Sequence, residues 1–319
     1  MHTDRLRQAG PAIAALTPAP QHPALTQLVE SLRRRHGDCV AAVLFYGSCL
    51  RGGDPFDGVV DLYLLVDNYR CANAGLLKAA WNRVLPPNVF YAEFAHSERT
   101  LRCKYAIVSL PDLDRGTSRR WFHSYLWGRF SQPTAIAWWR DAPTRARVEA
   151  DMARSVTTFL QRVIPRVAPQ GSVASLWRDG LALSYRAELR AESPQRASQI
   201  VTAGLHYYEQ VTRVVAADVG YDLKVYGESG IPRYRARTTP LQRALARSGW
   251  WLRIAQGKVL SVLRLLKALF TFDGGLDYIA WKLERHSGVP IDIPPRVRRY
   301  PLIFIWGLFW DLYRRGIFR

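Results

Sequence analysis

The 319-residue chain carries 45 Lys/Arg against 26 Asp/Glu, a formal net charge of +19, and is rich in aromatics with 11 Trp, 15 Tyr and 12 Phe. That length allows two or three domains and a sizeable core, and the charge calls for an anionic partner: nucleic acid, acidic lipid or a phosphorylated substrate. No run reaches the ~18 apolar residues of a membrane-spanning helix. The four cysteines, Cys39, Cys49, Cys71 and Cys103, lack C-x-x-C spacing, so they read as reduced thiols of a cytosolic protein and argue against a zinc site.

In chain order, residues 1–24 read as a loose, Pro/Ala-rich leader, too interrupted for a signal peptide. Residues 25–38 have helical periodicity and stop at Gly37. Residues 40–67, VAAVLFYGSCLRGGDPFDGVVDLYLLVD, read as two strands around a Gly/Pro/Asp-rich turn. Gly47-Ser48 ends the first strand, and Asp61 sits in the second. Residues 72–85 read as a helix closed by Pro86-Pro87. Residues 88–94 and 104–110 read as two more strands, carrying Glu93 and Lys104, followed by a polar turn, PDLDRGTS. Residues 119–139 read as a buried, Arg-rimmed helix up to Gly128-Arg129, broken at Gln132-Pro133. Helical periodicity fills 145–220, and the Gly/Pro-punctuated 221–248 reads as a linker or mobile loop.

The last segment, 249–319, holds five of the Trp and twelve Lys/Arg against five Asp/Glu. In 250–272 apolar residues recur at helical spacing, with Arg253, Lys258, Arg264 and Lys267 as cations. In the final stretch an apolar core lies between Arg296, Arg298 and Arg299 on one side and Arg314 and Arg315 on the other. Apolar and aromatic residues between basic clusters suit a helix lying in an anionic membrane interface; packing on the protein or dimerisation is the alternative.

The chemistry concentrates at residues 46–63. A glycine lets the backbone approach a phosphate closely, and exposed N–H groups there face the anion, while a strand aspartate can hold Mg²⁺ against the same phosphate. Gly-Ser followed by a strand acid resembles the nucleotidyltransferases of the DNA polymerase β superfamily, whose strand carries Asp-x-Asp. Here the second position is Tyr63. Asp67 is roughly 20 Å further along an extended strand and cannot share a metal with Asp61. The superfamily resemblance also makes Glu93 a candidate further ligand or base; by itself it reads as a surface residue.

A closer resemblance is to the mitochondrial-type phosphatidate cytidylyltransferases (CDP-diacylglycerol synthases). It is carried by Tyr46-Gly47-Ser48, by Val60-Asp61 with Leu62-Tyr63, by Lys104-Tyr105-Ala106-Ile107-Val108-Ser109 with Asp112-Leu113, and by Gly128-Arg129-Phe130-Ser131-Gln132-Pro133, where the family Lys is Gln132. Further on it includes Leu183-Ser184-Tyr185 with Glu188, Arg190 and Glu192. The matches keep their order over roughly residues 40–215. The resemblance implies an α+β chain with a nucleotidyltransferase-like mixed sheet and flanking helices over 25–142. A helical second domain with its linker would follow over 143–248, the winged helix being one form of it; the basic amphipathic segment 249–319 is read from its own residues and not from the family.

The implied reaction is transfer of CMP from CTP to phosphatidic acid, giving CDP-diacylglycerol and pyrophosphate. Asp61 and Lys104 would be catalytic, and Tyr46, Gly47, Ser48 and Arg129 would bind the nucleotide. Glu188 and Arg190 would close the cleft, and Asp61 with Glu93 would face Mg²⁺, or Mn²⁺ in its place. The enzyme would be cytoplasmic and peripheral on the inner face of an anionic membrane. The alternatives are a transferase acting on another membrane-bound phosphate or alcohol, and a non-catalytic nucleic-acid-binding protein on a degenerate transferase fold. The basic residues sit in Trp-rich amphipathic segments and not in RNP-like patterns, which disfavours nucleic acid.

Overall fold

The computed structural model describes residues 2–52, 54–72, 87–188, 194–227, 231–271 and 291–299, together with the single positions 284, 304, 307, 310, 311 and 314. Two helices, α1 (His2–Ala15) and α2 (Pro23–His36), precede the strands β1 (Val40–Tyr46) and β2 (Val60–Val66). A helical turn, α3 (Tyr69–Ala72), and the hairpin β3 (Asn88–His96) and β4 (Arg99–Ser109) come next. Then follow α4 (Leu110–Thr117), α5 (Tyr125–Phe130) and β5 (Thr134–Trp139). The five strands form one mixed sheet in the order β3-β4-β2-β1-β5. β2 and β4 run parallel, and the other neighbours are antiparallel.

Period two divides the sheet into two faces. Val43, Phe45, Leu62, Leu64, Tyr105 and Ile107 pack beneath α2, through Leu25, Leu28 and Leu32. Leu44, Tyr63, Leu65, Ala106 and Val108 face the other way, toward Leu113, Leu126 and Phe130. The long helix α6 (Ala142–Val163) joins this second layer through Val148 and Met152. With both faces covered, β2 reads as an almost unbroken apolar run.

The second half of the chain builds its own core on α6. Helices α7 (Val173–Arg186), α8 (Pro194–Ala203) and α9 (Leu205–Val219) surround a buried aromatic stack of Phe159, Trp177 and Tyr208. A small antiparallel sheet, β6 (Gln170–Ser172), β8 (Arg233–Arg235) and β7 (Lys224–Tyr226), lies beside them. A long helix, α10 (Pro240–Thr271), and a short one, α11 (Pro295–Arg299), complete the described elements.

Five expectations are corrected. The leader is not loose: α1 buries Leu6 and Ile13 in the helical core, and a side chain on Gly10 would lie 2.7 Å from the Glu149 carbonyl carbon. The turn PDLDRGTS is α4, because the Ser109 hydroxyl accepts from the Asp112 N–H and a proline occupies the first turn. The helix read from 119 up to Gly128-Arg129 is only the short α5; beyond the break at Gln132-Pro133, Thr134–Trp139, with its paired tryptophans, is an edge strand. The segment 221–248 contains β7, β8 and the start of α10, so the boundary at 248 falls inside a helix. Cys39 and Cys71 form a disulfide, with Cα atoms 5.8 Å apart, while Cys49 and Cys103 are free; the expectation of four reduced thiols fails there. The helix expected over 72–85 lies almost wholly outside the described residues.

Candidate functional site

The site is built on one row of side chains across the sheet. Tyr46, the last residue of β1, is opposite Asp61 on β2. Asp61 is beside Lys104 on β4, and Lys104 is opposite Tyr91 on β3. Register partners project from the same face, so these four share the face that carries α5. Directly after this row, Gly47 takes φ 92°, and a Cβ there would lie 2.6 Å from Asp61 Oδ2. The main chain at Gly47 therefore lies against the Asp61 carboxylate, which only glycine permits. Ser48 is exposed and starts a short helical turn, Cys49–Arg51.

Helix α5 supplies the wall. Arg129 Nη1 donates to the Tyr46 hydroxyl at 3.2 Å, and Nη2 approaches Glu188 Oε2 at 3.4 Å. Both side chains are buried, at 9% and 10% exposure. The Arg129 guanidinium also lies 4.7 Å from the Tyr125 ring centroid, and Tyr63 donates to the Tyr125 hydroxyl at 3.2 Å. Tyr46, Lys104, Tyr125, Arg129 and Glu188, with Val89 and Ala106 as floor, line a cavity of about 130 Å³.

Burial and neighbouring charge compete here. Burial alone would lower the basicity of Arg129, but Tyr63, Tyr125, Tyr46 and Glu188 outweigh it and hold the guanidinium firmly charged. Burial raises the Tyr63 hydroxyl far above the ordinary tyrosine value. At Tyr125 burial also acts upward, yet Arg129, Arg264 and the Tyr63 hydrogen bond overcome it and the hydroxyl becomes more acidic than usual. The Cys103 thiol is pushed up by burial, with the Asp61 charge adding to the effect.

Two stretches some fifty residues apart meet at this wall. A side chain on Gly128 would strike the Ser184 hydroxyl, Arg129 pairs with Glu188, and the Tyr185 hydroxyl donates to Gln132 Oε1 at 2.9 Å. Gln132 Nε2 donates to the Gly128 carbonyl at 3.0 Å. The amide standing where the resemblance places a Lys thus joins α5 to α7. Arg190 and Glu192 lie outside the described residues.

The expected pair of metal-facing acids is not brought together. Glu93 shares the face of Asp61 but lies two strands across and two residues along, roughly 12 Å away. It accepts from the Tyr91 hydroxyl at 2.7 Å and pairs with Arg102 at 3.5 Å. Tyr63, where the resemblance would place a second acid, has a fully buried ring 4.9 Å from Phe130. Asp67, just past the far end of β2, is held by Arg140 at 2.8 and 3.0 Å. Among the described residues no group of three or more His, Cys, Asp or Glu is arranged to hold a metal. A lone carboxylate suits only a cation that arrives with phosphate oxygens completing its shell, which is how Mg²⁺ commonly binds.

Tyr125, which lines the cavity, and Arg264, which lies over its ring, escaped the sequence reading. Tyr125 looked like core, and Arg264, whose guanidinium lies 4.2 Å from the Tyr125 centroid, looked like a cation on a membrane-facing helix. The tightness of Gly257 against Ala187 was the available signal, but a helical glycine alone does not say what it touches. Compared with known proteins, the chain matches no protein-family model and no curated protein, so its functional reading stands on its own residues and their geometry.

Proposed function

We propose that the protein is a nucleotidyltransferase of the phosphatidate cytidylyltransferase type, transferring CMP from CTP to phosphatidic acid at a membrane surface. One observation carries the reading: Gly47 lies against Asp61 in register with Lys104, and the Arg129–Glu188 pair closes the same cleft. An oxygen of the phosphatidate phosphate attacks the α-phosphorus of CTP, the new P–O bond forms, and the bond to the bridging oxygen breaks as pyrophosphate leaves. The attacking phosphate is ionised near neutral pH, so no strong base is needed. Positioning and electrostatics then supply the acceleration.

Backbone N–H groups at Gly47-Ser48 cradle the β- and γ-phosphates, and Lys104 neutralises their charge. Asp61 would hold Mg²⁺ (or Mn²⁺), and such an ion offsets the charge of the triphosphate when bound. Glu93 is left as a structural partner of Tyr91 and Arg102.

Among the described residues no helix is long and apolar enough to cross a membrane. The face of α10 turned from the protein carries Leu241, Leu245, Trp251, Leu252, Val259, Val262 and Leu263, each between 44% and 70% exposed. Arg243, Arg247 and Lys258 flank it. This is the composition of an interfacial helix, and it supports peripheral binding to an anionic surface.

The test is transfer of label from α-labelled CTP into phosphatidate liposomes with Mg²⁺, wild type beside Asp61→Ala. Label in lipid for wild type alone is the expected result, with the variant's melting temperature unchanged. Label appearing in another membrane phosphate or alcohol would move the acceptor. Single-stranded RNA binding without any transfer would sink the enzymatic reading.

A further inference from the structure

We propose that the groove where the loop after α4 faces α6 is a second anion site, which takes the phosphate monoester of a polyol through Arg119 and Arg120. It shares no lining residue with the cleft cavity and does not depend on the reaction assigned there.

The site begins in the stretch Thr117-Ser118-Arg119-Arg120-Trp121. Ser118 ties this loop to the end of α4. Its hydroxyl donates to the Arg115 carbonyl at 2.7 Å and accepts from the Arg120 N–H at 3.3 Å, while the Trp121 N–H donates to the Ser118 carbonyl at 3.1 Å. The Arg119 carbonyl accepts from Arg162 Nη2 of α6 at 2.8 Å. The backbone is thus held, and the Arg119 and Arg120 side chains stay exposed. Across from them α6 presents Arg154, Thr158 and Gln161, whose spacing of four and then three residues puts them on one helix face. These residues, with Arg115 and with Leu6 of α1, line a cavity of about 450 Å³. A second cavity, of about 550 Å³, shares Arg119 and Gln161 with it and reaches Thr239 and Gln242 at the start of α10.

The acids of this region already have cations. Asp112 pairs with Arg115, Asp114 and Asp151 with Arg154, Asp218 with Arg5, and Asp222 with Arg237. Among the described residues no ion pair reaches Arg119 or Arg120. Arg162 stands behind the loop and adds a further cation. Burial lowers its basicity, and the Arg119 charge lowers it further, against the opposing effect of Tyr221. Cations held close together on a fixed frame favour an anion that bridges them.

Charge and space select the ligand. Two guanidinium groups match a phosphate monoester, which carries about −1.5 to −2 at neutral pH and more charge than one carboxylate can bring. A cavity of about 450 Å³ falls in the range of small-molecule sites, roughly 300–1,000 Å³, so the phosphate arrives with a body attached. Among the described residues that line this cavity none is aromatic, so a nucleobase has no ring to stack on, whereas Thr158 and Gln161 suit hydroxyl groups. A phosphorylated polyol exists both as a soluble ester and as a lipid headgroup. The start of α10, which borders the second cavity, carries Leu241 and Leu245 at 68% and 65% exposure, so a lipid surface on that helix would bring headgroups to the groove.

The test uses the full chain and equilibrium binding of two probes with one headgroup: inositol 1,4-bisphosphate, and phosphatidylcholine vesicles with and without phosphatidylinositol 4-phosphate. The Arg119→Gln/Arg120→Gln and Arg119→Lys/Arg120→Lys variants are measured beside wild type, with free inositol and CTP as controls. The Gln variant should lose roughly tenfold in affinity, and the Lys variant, with the charge but not the planar fork, should recover only part of it. Melting temperatures without ligand and CTP affinity should match wild type, and inositol should not bind. This dependence with the bisphosphate supports the site and assigns it to soluble esters; with the vesicles alone, it supports the site and assigns it to a lipid headgroup. Wild-type affinity in the Gln variant, or a wild type that binds neither probe, would overturn the proposal. Vesicle binding fully restored by Lys, with no bisphosphate bound, would overturn it in favour of diffuse surface charge. A parallel loss of CTP affinity would overturn it by making the groove part of the cleft.

Discussion

Gly47 lies against the Asp61 carboxylate, and this close approach makes a prediction at the scale of one residue. Gly47→Ala must place a Cβ at φ 92° and against the Asp61 carboxylate. Strain of this kind costs about 1–3 kcal/mol. Urea unfolding should show that loss, and the variant should also lose nucleotide affinity; an unchanged midpoint and unchanged affinity would remove Gly47 from the site. A second residue-scale effect lies far from the cleft. Burial raises the Asp151 carboxyl to about 7, with Arg154 pulling the other way and Asp114 adding to the rise. Unfolded Asp ionises near 3.9, so between about pH 4 and 7 the unfolded chain binds fewer protons than the folded one. The stability this group contributes is full below about pH 4 and is lost as pH rises to about 7. Asp151→Asn should flatten that slope relative to wild type, read by urea unfolding at pH 4.5 and 7.5; parallel curves would refute the assignment.

At the scale of elements, α10 is fastened to the helical core. Trp250 packs edge-on to Trp127 at 6.0 Å and closes the helical core. Trp250→Ala should cost about 3–5 kcal/mol, as large aromatic truncations do. Because the same helix packs Gly257 onto Ala187, next to Glu188, the same variant should reduce transfer by more than its stability loss explains, which assays far below its melting temperature can separate. Full activity under those conditions would uncouple α10 from the cleft. Much of this level was readable in sequence. The helical periodicity of 250–272 was plain, and so were β1, β2 and the hairpin strands around Glu93 and Lys104. What could not be read was which face of α10 touches protein. Arg253 and Arg264 look like interfacial cations in sequence. In the fold they are held by Phe122 and Tyr125, because a guanidinium stacks well on aromatic rings and is the least strongly hydrated cation to bury.

For the whole molecule, the apolar face of α10 and its flanking cations predict liposome flotation. Each basic residue near an anionic surface adds about 1 kcal/mol, so binding should weaken with salt. Leu252→Glu with Val259→Glu, both at exposed positions, should abolish flotation while leaving soluble CTP binding intact. Flotation that survives the double change would locate any membrane contact elsewhere.

The amino-acid sequence by itself determined the apolar runs that make the sheet, the basic charge, and the order of the motifs from Tyr46 to Glu188. These are local properties, set by side-chain period and composition. Only the tertiary structure decided that Arg129 meets Glu188, that Gln132 ties two helices, that Asp61 and Glu93 stand apart, and that Arg264 lies over the Tyr125 ring. Those facts depend on strand order and on which helix faces are covered. Packing between residues far apart in the chain settles both, and no local pattern encodes it.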